Sequence, residues 1–221
     1  MLELQKATKV FKPRGRPSST ALDNVSLKVS PGEFLVITGR SGCGKTTLLN
    51  LMAGLARPTS GKVFIDGIDI WSLNDRQLSA LRKKKMGFMF QVPSLIPVLN
   101  IVENVMVPTM FSSRLNAYDR AKKALADVGL SHKMESFPRH LSAGEEKRVT
   151  IARAIVDEPP FLLADEPTAN LDELTEKEIM ALLQRIYQAG TTMVVVTHHP
   201  SLIGYGTRHL IMSDGKLTGV T

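Results

Sequence analysis

With 221 residues, 43% hydrophobic and 22% charged, the chain has the make-up of a globular protein, either one large domain or a core carrying an insert. No run approaches the roughly 20 apolar residues of a membrane span, Met1 to Lys6 lack a signal-peptide core, and a single cysteine excludes an internal disulfide and fits a reducing cytoplasm. The net charge of +7 sits mainly in two stretches, Lys12 to Arg16 and Arg82 to Lys85, and without interleaved aromatics both read as solvated surface rather than a nucleic-acid interface.

Residues 1–38 read as β-rich. Leu2 to Phe11 and Leu22 to Val29 alternate apolar with polar residues and are expected as strands, separated by a polar turn from Lys12 to Thr20. Phe11 is the aromatic expected beside a bound purine, since a π-face stacks on any base; plain core packing is the alternative. A short buried strand from Phe34 leads into Gly39-Arg40-Ser41-Gly42-Cys43-Gly44-Lys45-Thr46, then Thr47 and the apolar run Leu48 to Ala53. Strand, glycine-rich loop and helix in that order are the context that the GxxxxGK[ST] phosphate-binding pattern requires. The glycines let main-chain N–H groups point at an anion, and a helix starting near Lys45 adds the positive end of its dipole. Lys45 suits the β- and γ-phosphates of a nucleoside triphosphate, and the Thr46 hydroxyl suits Mg²⁺.

Val63 to Ile65, the Asp66-Gly67 turn and Ile68 to Ile70 read as a hairpin. Leu73 to Lys85 suits a basic helix capped near Asn74 or Asp75, and Met86 to Phe90 a compact strand with Gln91 at its end. In an α/β sheet, ligands gather outside the carboxyl ends of strands, so Gln91 is placed either for metal and water or as a cap. From Val92 to His140 prolines 93, 97 and 108 punctuate an irregular apolar stretch, followed by a helical pattern at Ala117 to Val128. No strand-like run appears there, which predicts an inserted helical subdomain over 92–156, within a core formed by 1–91 and 157–221. Leu95 to Leu99 is either a docking surface for a partner or packing of the insert onto the core.

Leu141-Ser142-Ala143-Gly144-Glu145 opens a helix to about Val156, with Ser142 and Glu145 spaced as a capping box. Phe161 to Ala164 is a buried strand that delivers Asp165 and Glu166 at its carboxyl end, where two adjacent carboxylates need a cation or a polarised water. Asp165 suits the Mg²⁺ shell and Glu166 suits the attacking water. Asn170-Leu171-Asp172 leads into a helix to about Gln188, Thr192 to Thr197 is one more strand, and His198 stands just past its end as a structural residue or a γ-phosphate sensor. Ser213 to Lys216 is a final hairpin turn.

Taken in order, these stretches resemble the nucleotide-binding subunit of ATP-binding-cassette (ABC) transporters over essentially the whole chain. Gly39 to Thr46 resembles Walker A, Gln91 the Q-loop, Leu141 to Glu145 the LSGGQ signature, and Phe161 to Glu166 Walker B with its catalytic glutamate. Ala169 to Asp172 resembles the D-loop, His198 the switch histidine, and Phe11 the aromatic of the A-loop. Within the family, Phe90-Gln91, Leu99 to Val107 and Asp165 to Asp172 look most like the lipoprotein-release, macrolide-export and cell-division branch. Ala143 and Glu145 depart from the signature, and His199 stands where an aspartate is common, which bears on turnover rate.

The resemblance implies an α/β fold: a P-loop NTPase core with a mainly parallel sheet, an antiparallel β subdomain and an inserted α-helical subdomain. It implies ATP bound by Phe11, Gly39 to Thr47, Ser142, Gly144 and Asp172, with Mg²⁺ at Thr46, Gln91 and Asp165, and hydrolysis by Glu166, His198 and Gln91. Two copies would close head to tail on ATP and work with transmembrane permease subunits at the cytoplasmic face of the membrane, with no nucleic-acid partner. The alternative is a relative that regulates, or acts on nucleic acid, without transporting.

Overall fold

The computed structural model describes residues 1–12, 15, 17–111 and 115–220, which divide into two compact units, Met1–Arg82 with Thr192–Thr221 and Lys83–Thr191. Pro13, Arg14 and Arg16 of the first basic stretch lie outside the described residues.

In the first unit, strands β1 (Leu2–Phe11) and β2 (Ser19–Val29) pair antiparallel. Strand β3 (Phe34–Thr38) and helix α1 (Lys45–Met52) follow, then β4 (Ser60–Ile65) and β5 (Ile68–Asp69). The first sheet has the order β2-β1-β4-β5. Leu4 faces Leu27 on one side and Val63 on the other, a row of buried side chains produced by the alternation of apolar residues. The ladder is interrupted where Lys6 and Asn24 take positive φ, and Gly61 lies against that bulge: a Cβ there would stand 2.3 Å from the Lys6 carbonyl oxygen. Ile70, expected in the hairpin, begins a 3₁₀ turn instead, because the Asp69 carboxylate accepts the Trp71 N–H at 3.1 Å and bends the chain.

Strand β3 is buried at all five positions, as a parallel strand covered on both faces must be. Helix α2 (Asp75–Lys85), strand β6 (Met86–Met89), helices α3 (Ile101–Met106), α4 (Ala117–Asp127) and α5 (Ala143–Ile155), strand β7 (Phe161–Asp165) and helix α6 (Glu173–Gln188) come next in the chain. The first unit is then completed by β8 (Thr192–Thr197), β9 (Arg208–Ser213) and β10 (Lys216–Val220). Its second set of strands runs in the order β10-β9-β3-β8, with β3 parallel to both neighbours. Asp214 and Gly215, both at positive φ, close the β9–β10 hairpin. The Gly215 N–H donates to the Cys43 carbonyl at 3.0 Å and its carbonyl accepts the Asp23 N–H at 2.9 Å.

In the second unit β6 and β7 pair in parallel, Met86 with Phe161 and Met89 with Ala164. Helices α3, α4 and α5 pack on one another, and Ile101, Val105, Ala121, Leu125, Val149 and Ala152 on them are buried. No strand occurs between residues 92 and 156 among the described residues. The stretch after Val92 is nevertheless less irregular than its prolines imply. Asn100 and Glu103 form a reciprocal capping box that starts α3, and Pro108 lies in the 3₁₀ turn that ends it. Asn104, fully buried, accepts the Ile96 N–H and donates to the carbonyls of Ile96, Leu99 and Asn100, which fixes the loop before α3. No helix of the described residues is long and apolar enough to cross a membrane.

Candidate functional site

The glycine-rich loop leaves β3 at Thr38, and its first residue is tied to the neighbouring strand by the Gly39 N–H on the Thr197 carbonyl at 3.3 Å. Gly44 ends the loop at φ 109°, and a Cβ there would lie 2.3 Å from the Ala21 carbonyl, so only glycine fits. Gly42 also has positive φ, but nothing stands within 4 Å of where its side chain would be, so that side of the loop is open. Lys45, 6% exposed, folds back over the loop and donates to the carbonyls of Gly39 at 2.7 Å and Arg40 at 3.1 Å. Arg40, Ser41 and Thr46 are exposed, and Cys43 and Thr47 half-buried. No acid lies in the first turn of α1, so the positive end of the helix is uncompensated by its own side chains. The arrangement is an anion cradle rather than an enclosed pocket. A groove of about 790 Å³ elsewhere in this unit, lined by residues such as Glu3, Lys6, Asn24 and Arg208, contains none of the expected site residues.

Two further expected residues belong to the same unit. Thr38 and Thr197 are in register on parallel strands, so His198 leaves β8 at the edge where Gly39 leaves β3. Its exposed ring stacks on that of His199 with centroids 4.1 Å apart. Phe11 is 47% exposed at the end of β1, with the Lys9 ammonium 5.3 Å from its ring centre, which rules out the core-packing alternative. His209 is a residue that sequence patterns did not point to: buried on β9, it shares a 2.7 Å hydrogen bond with the Thr38 hydroxyl beneath the loop.

In the second unit the register of β6 and β7 carries Gln91 and the Asp165-Glu166 pair out at the same end. Gln91 is exposed; Asp165 and Glu166 are 3% and 6% exposed. Glu166 takes φ 47°, an unusual conformation for a residue with a side chain. Lys147, from the second turn of α5 and 4% exposed, donates to the Gln91 carbonyl at 2.9 Å and to the Glu166 carbonyl at 3.4 Å. Burial pushes its ammonium below the usual lysine value, while the charges of Asp165, Glu166 and Glu146 pull it back up. Sequence reasoning missed Lys147. The available signal was a cation on the buried stripe of α5, one turn before Ile151 and two before Ala154.

The signature segment has a separate geometry. Ser142 caps α5, its hydroxyl accepting the Glu145 N–H, while the Glu145 carboxylate accepts the Ser142 N–H at 2.9 Å. Lys133 bridges the same carboxylate at 2.6 Å, and these two donors, Lys133 foremost, hold Glu145 below the usual carboxylate range. The glutamate in place of glutamine is thus tied down by a lysine of its own chain. Ala143 is exposed at the first turn. A Cβ on Gly144 would stand 2.6 Å from the Thr175 methyl. Thr175 also joins the D-loop: its N–H and hydroxyl donate to the two Asp172 oxygens at 3.0 and 2.6 Å, which lowers the Asp172 carboxyl.

The donor set decides what cation is chemically reasonable. No group of three or more His, Cys, Asp or Glu residues that could hold a metal occurs among the described residues. Taken singly, the Thr46 hydroxyl, the Gln91 amide oxygen and the Asp165 carboxylate are hard oxygen donors of the kind Mg²⁺ accepts, and none is the soft donor a transition metal favours.

The model of the ABC transporter family matches residues 22–169. An uncharacterised ABC transporter ATP-binding protein of Thermotoga maritima is 40% identical over 100% of this chain and 94% of its own length. The lipoprotein-releasing system ATP-binding protein LolD of Aquifex aeolicus is 44% identical over 90% of this chain and 89% of its own. The macrolide export ATP-binding/permease protein MacB of Syntrophobacter fumaroxidans is 41% identical over 98% of this chain, which spans 31% of that protein. The ATP-binding cassette MJ0796, solved as a dimer in a post-hydrolysis state with ADP and Pi, is similar at a TM-score of 0.92 and 39% identity, covering 100% of this chain and 98% of that one.

Proposed function

This chain belongs to the ABC transporter family as an ATP-binding subunit, and on that premise we propose that ATP closes two copies of it head to tail and that hydrolysis releases them, driving a membrane-embedded partner. The observation that carries this reading is the pair Asp165 and Glu166, almost wholly buried at the carboxyl end of β7, in a chain whose Lys45 sits within a phosphate-binding loop. Lys45 and the N–H groups from Gly39 to Thr47 neutralise phosphate charge, and Phe11 offers its exposed face to the base. Thr46, Asp165 and Gln91 are the oxygen donors for Mg²⁺, which enters as part of the substrate and stabilises charge on the phosphates. Glu166 polarises the attacking water, and His198 contacts the γ-phosphate. Ser142, Gly144 and Asp172 act on the nucleotide held by the other copy, so that closure requires triphosphate and ends when phosphate leaves.

A permease docks on the segment that follows β6. Phe90, Val92, Ile96 and Val98 are exposed there, Val98 at 80%, a density of apolar side chains that a water-facing surface has no use for. Such a partner places the chain at the cytoplasmic face of the membrane.

Glu166→Gln tests the whole reading. It keeps the size of the side chain and removes the charge needed to activate water. The variant is expected to bind ATP, hydrolyse it very slowly and run as a dimer on size exclusion with ATP, while the unaltered protein runs mostly as a monomer. Normal turnover in the variant would remove Glu166 from the chemistry.

A further inference from the structure

We propose that Lys147 is a positioning residue for hydrolysis: reaching from the signature helix, its buried ammonium ties the main chain of Gln91 to that of Glu166, so the carboxylate that activates water follows the state of the Q-loop. The inference rests on the reading of Glu166 given above. Lys147 is 4% exposed, and its two hydrogen bonds reach carbonyls of two different functional segments. Neither bond belongs to a helix or strand ladder, so neither is needed to form an element. The Glu166 carbonyl also accepts the Ala169 N–H at 3.2 Å, which places Lys147 on the turn that holds Glu166 at φ 47°. A residue in that conformation stays there only where its surroundings fix it.

The same helix grips the Q-loop a second time. Arg153, six residues on, donates to the Pro93 carbonyl at 2.6 Å and the Ser94 carbonyl at 3.0 Å. Residues 91–94 are therefore carried by α5 at both ends, and Lys147 is the one of the two grips that continues to Glu166. A partner that pulls this segment off α5 far enough to break the Gln91 bond loosens the Glu166 turn with it. The direction of control follows from that geometry: a seated Q-loop gives an ordered Glu166, and a displaced one leaves the carboxylate without one of its supports.

Lys147→Met fills the space without the charge, and Lys147→Gln keeps a short amide donor. Both are to be assayed for steady-state ATP hydrolysis, and again in the Glu166→Gln background for ATP-dependent dimerisation. Misplacing a catalytic group by about 1 Å costs roughly 100-fold in rate, so K147M is expected to lose ~10- to 100-fold in kcat with KM for ATP within about twofold, and K147Q less. The ATP-bound dimer of E166Q should survive K147M, because closure uses Ser142 and Gly144 rather than the water-activating carboxylate. Hydrogen exchange adds a readout that activity does not supply: the Ala169 amide should exchange faster in K147M while the amides of α5 keep their protection. Full kcat in K147M, or loss of the dimer and of α5 protection together with kcat, overturns the proposal and leaves Lys147 as ordinary packing. Normal turnover in E166Q alone overturns the reading beneath it. Should K147M fail to fold, Lys147→Leu, which likewise lacks a donor, carries the same comparison, and unchanged kcat and Ala169 exchange in it are equally decisive against.

Discussion

Lys45 already has two acceptors, the Gly39 and Arg40 carbonyls, both within its own loop. Those bonds hold the ammonium over the cradle, and a triphosphate replaces neutral acceptors by charged ones, which strengthens each contact. Lys45→Ala removes both the charge and the brace across the loop. It should lower ATP affinity and turnover by ~100-fold or more, read by titration with a fluorescent ATP analogue and by phosphate release; a variant that binds and hydrolyses normally would refute the loop's assignment. Glu145 makes a prediction about pH. Its carboxyl is held below the usual value of 4.5 by Lys133 and the Ser142 N–H, so the stability it adds is present above that value and is lost as pH falls through the lowered one. Glu145→Gln should therefore melt below the unaltered protein at pH 7, by no more than about 1 kcal/mol for so accessible a pair. The gap should close as pH drops below about 4.5. A gap that does not narrow at all on acidification below about 4.5 would mean the carboxylate is not what stabilises the cap.

Between elements, the contact of α5 with α6 is made where the signature needs a glycine. Gly144 leaves room for the Thr175 methyl, and Thr175 in turn holds Asp172. Gly144→Ala should cost about 1 to 3 kcal/mol by overpacking, and Thr175→Ser, which removes the methyl and keeps the hydroxyl, should restore much of it in the double variant. Urea melts of the two single variants and the pair measure this, and strict additivity would show that the methyl is not the obstacle. The elements that sequence made legible are those whose pattern is local. Strand β3 and strand β8 are short apolar runs, α5 has its cap and apolar stripe, and each appears within a residue or two of its expected limits. Helix α3 was illegible to periodicity because six residues do not fill two turns and prolines flank it, although Asn100-x-x-Glu103 marked its start. Lys147, Thr175 and His209 were illegible for a different reason. Their partners are far away in the chain or on other elements, and only tertiary packing shows what each side chain reaches.

At the scale of the whole molecule, the proposed docking seats a membrane partner on the exposed apolar row after β6. Val98→Asp introduces a charge where a partner's apolar surface would seat, at a position too exposed to matter for folding. Basal ATP hydrolysis should be unchanged, while co-fractionation with membranes at high salt should be lost; a variant that still co-fractionates would place docking elsewhere. The arrangement of the first unit has a consequence of another kind, in the order of synthesis. The phosphate loop is flanked by β8 and β9 and is latched from below by Gly215, all of which follow it by more than half the chain. A ribosome that has made Lys45 has made none of these supports. The loop and its apolar strand β3 therefore wait, unpaired, while the intervening residues emerge, and contacts so distant in sequence close slowly. The Gly39 N–H has no Thr197 carbonyl to meet, and the Cys43 carbonyl no Gly215 N–H, until nearly the whole chain has been made.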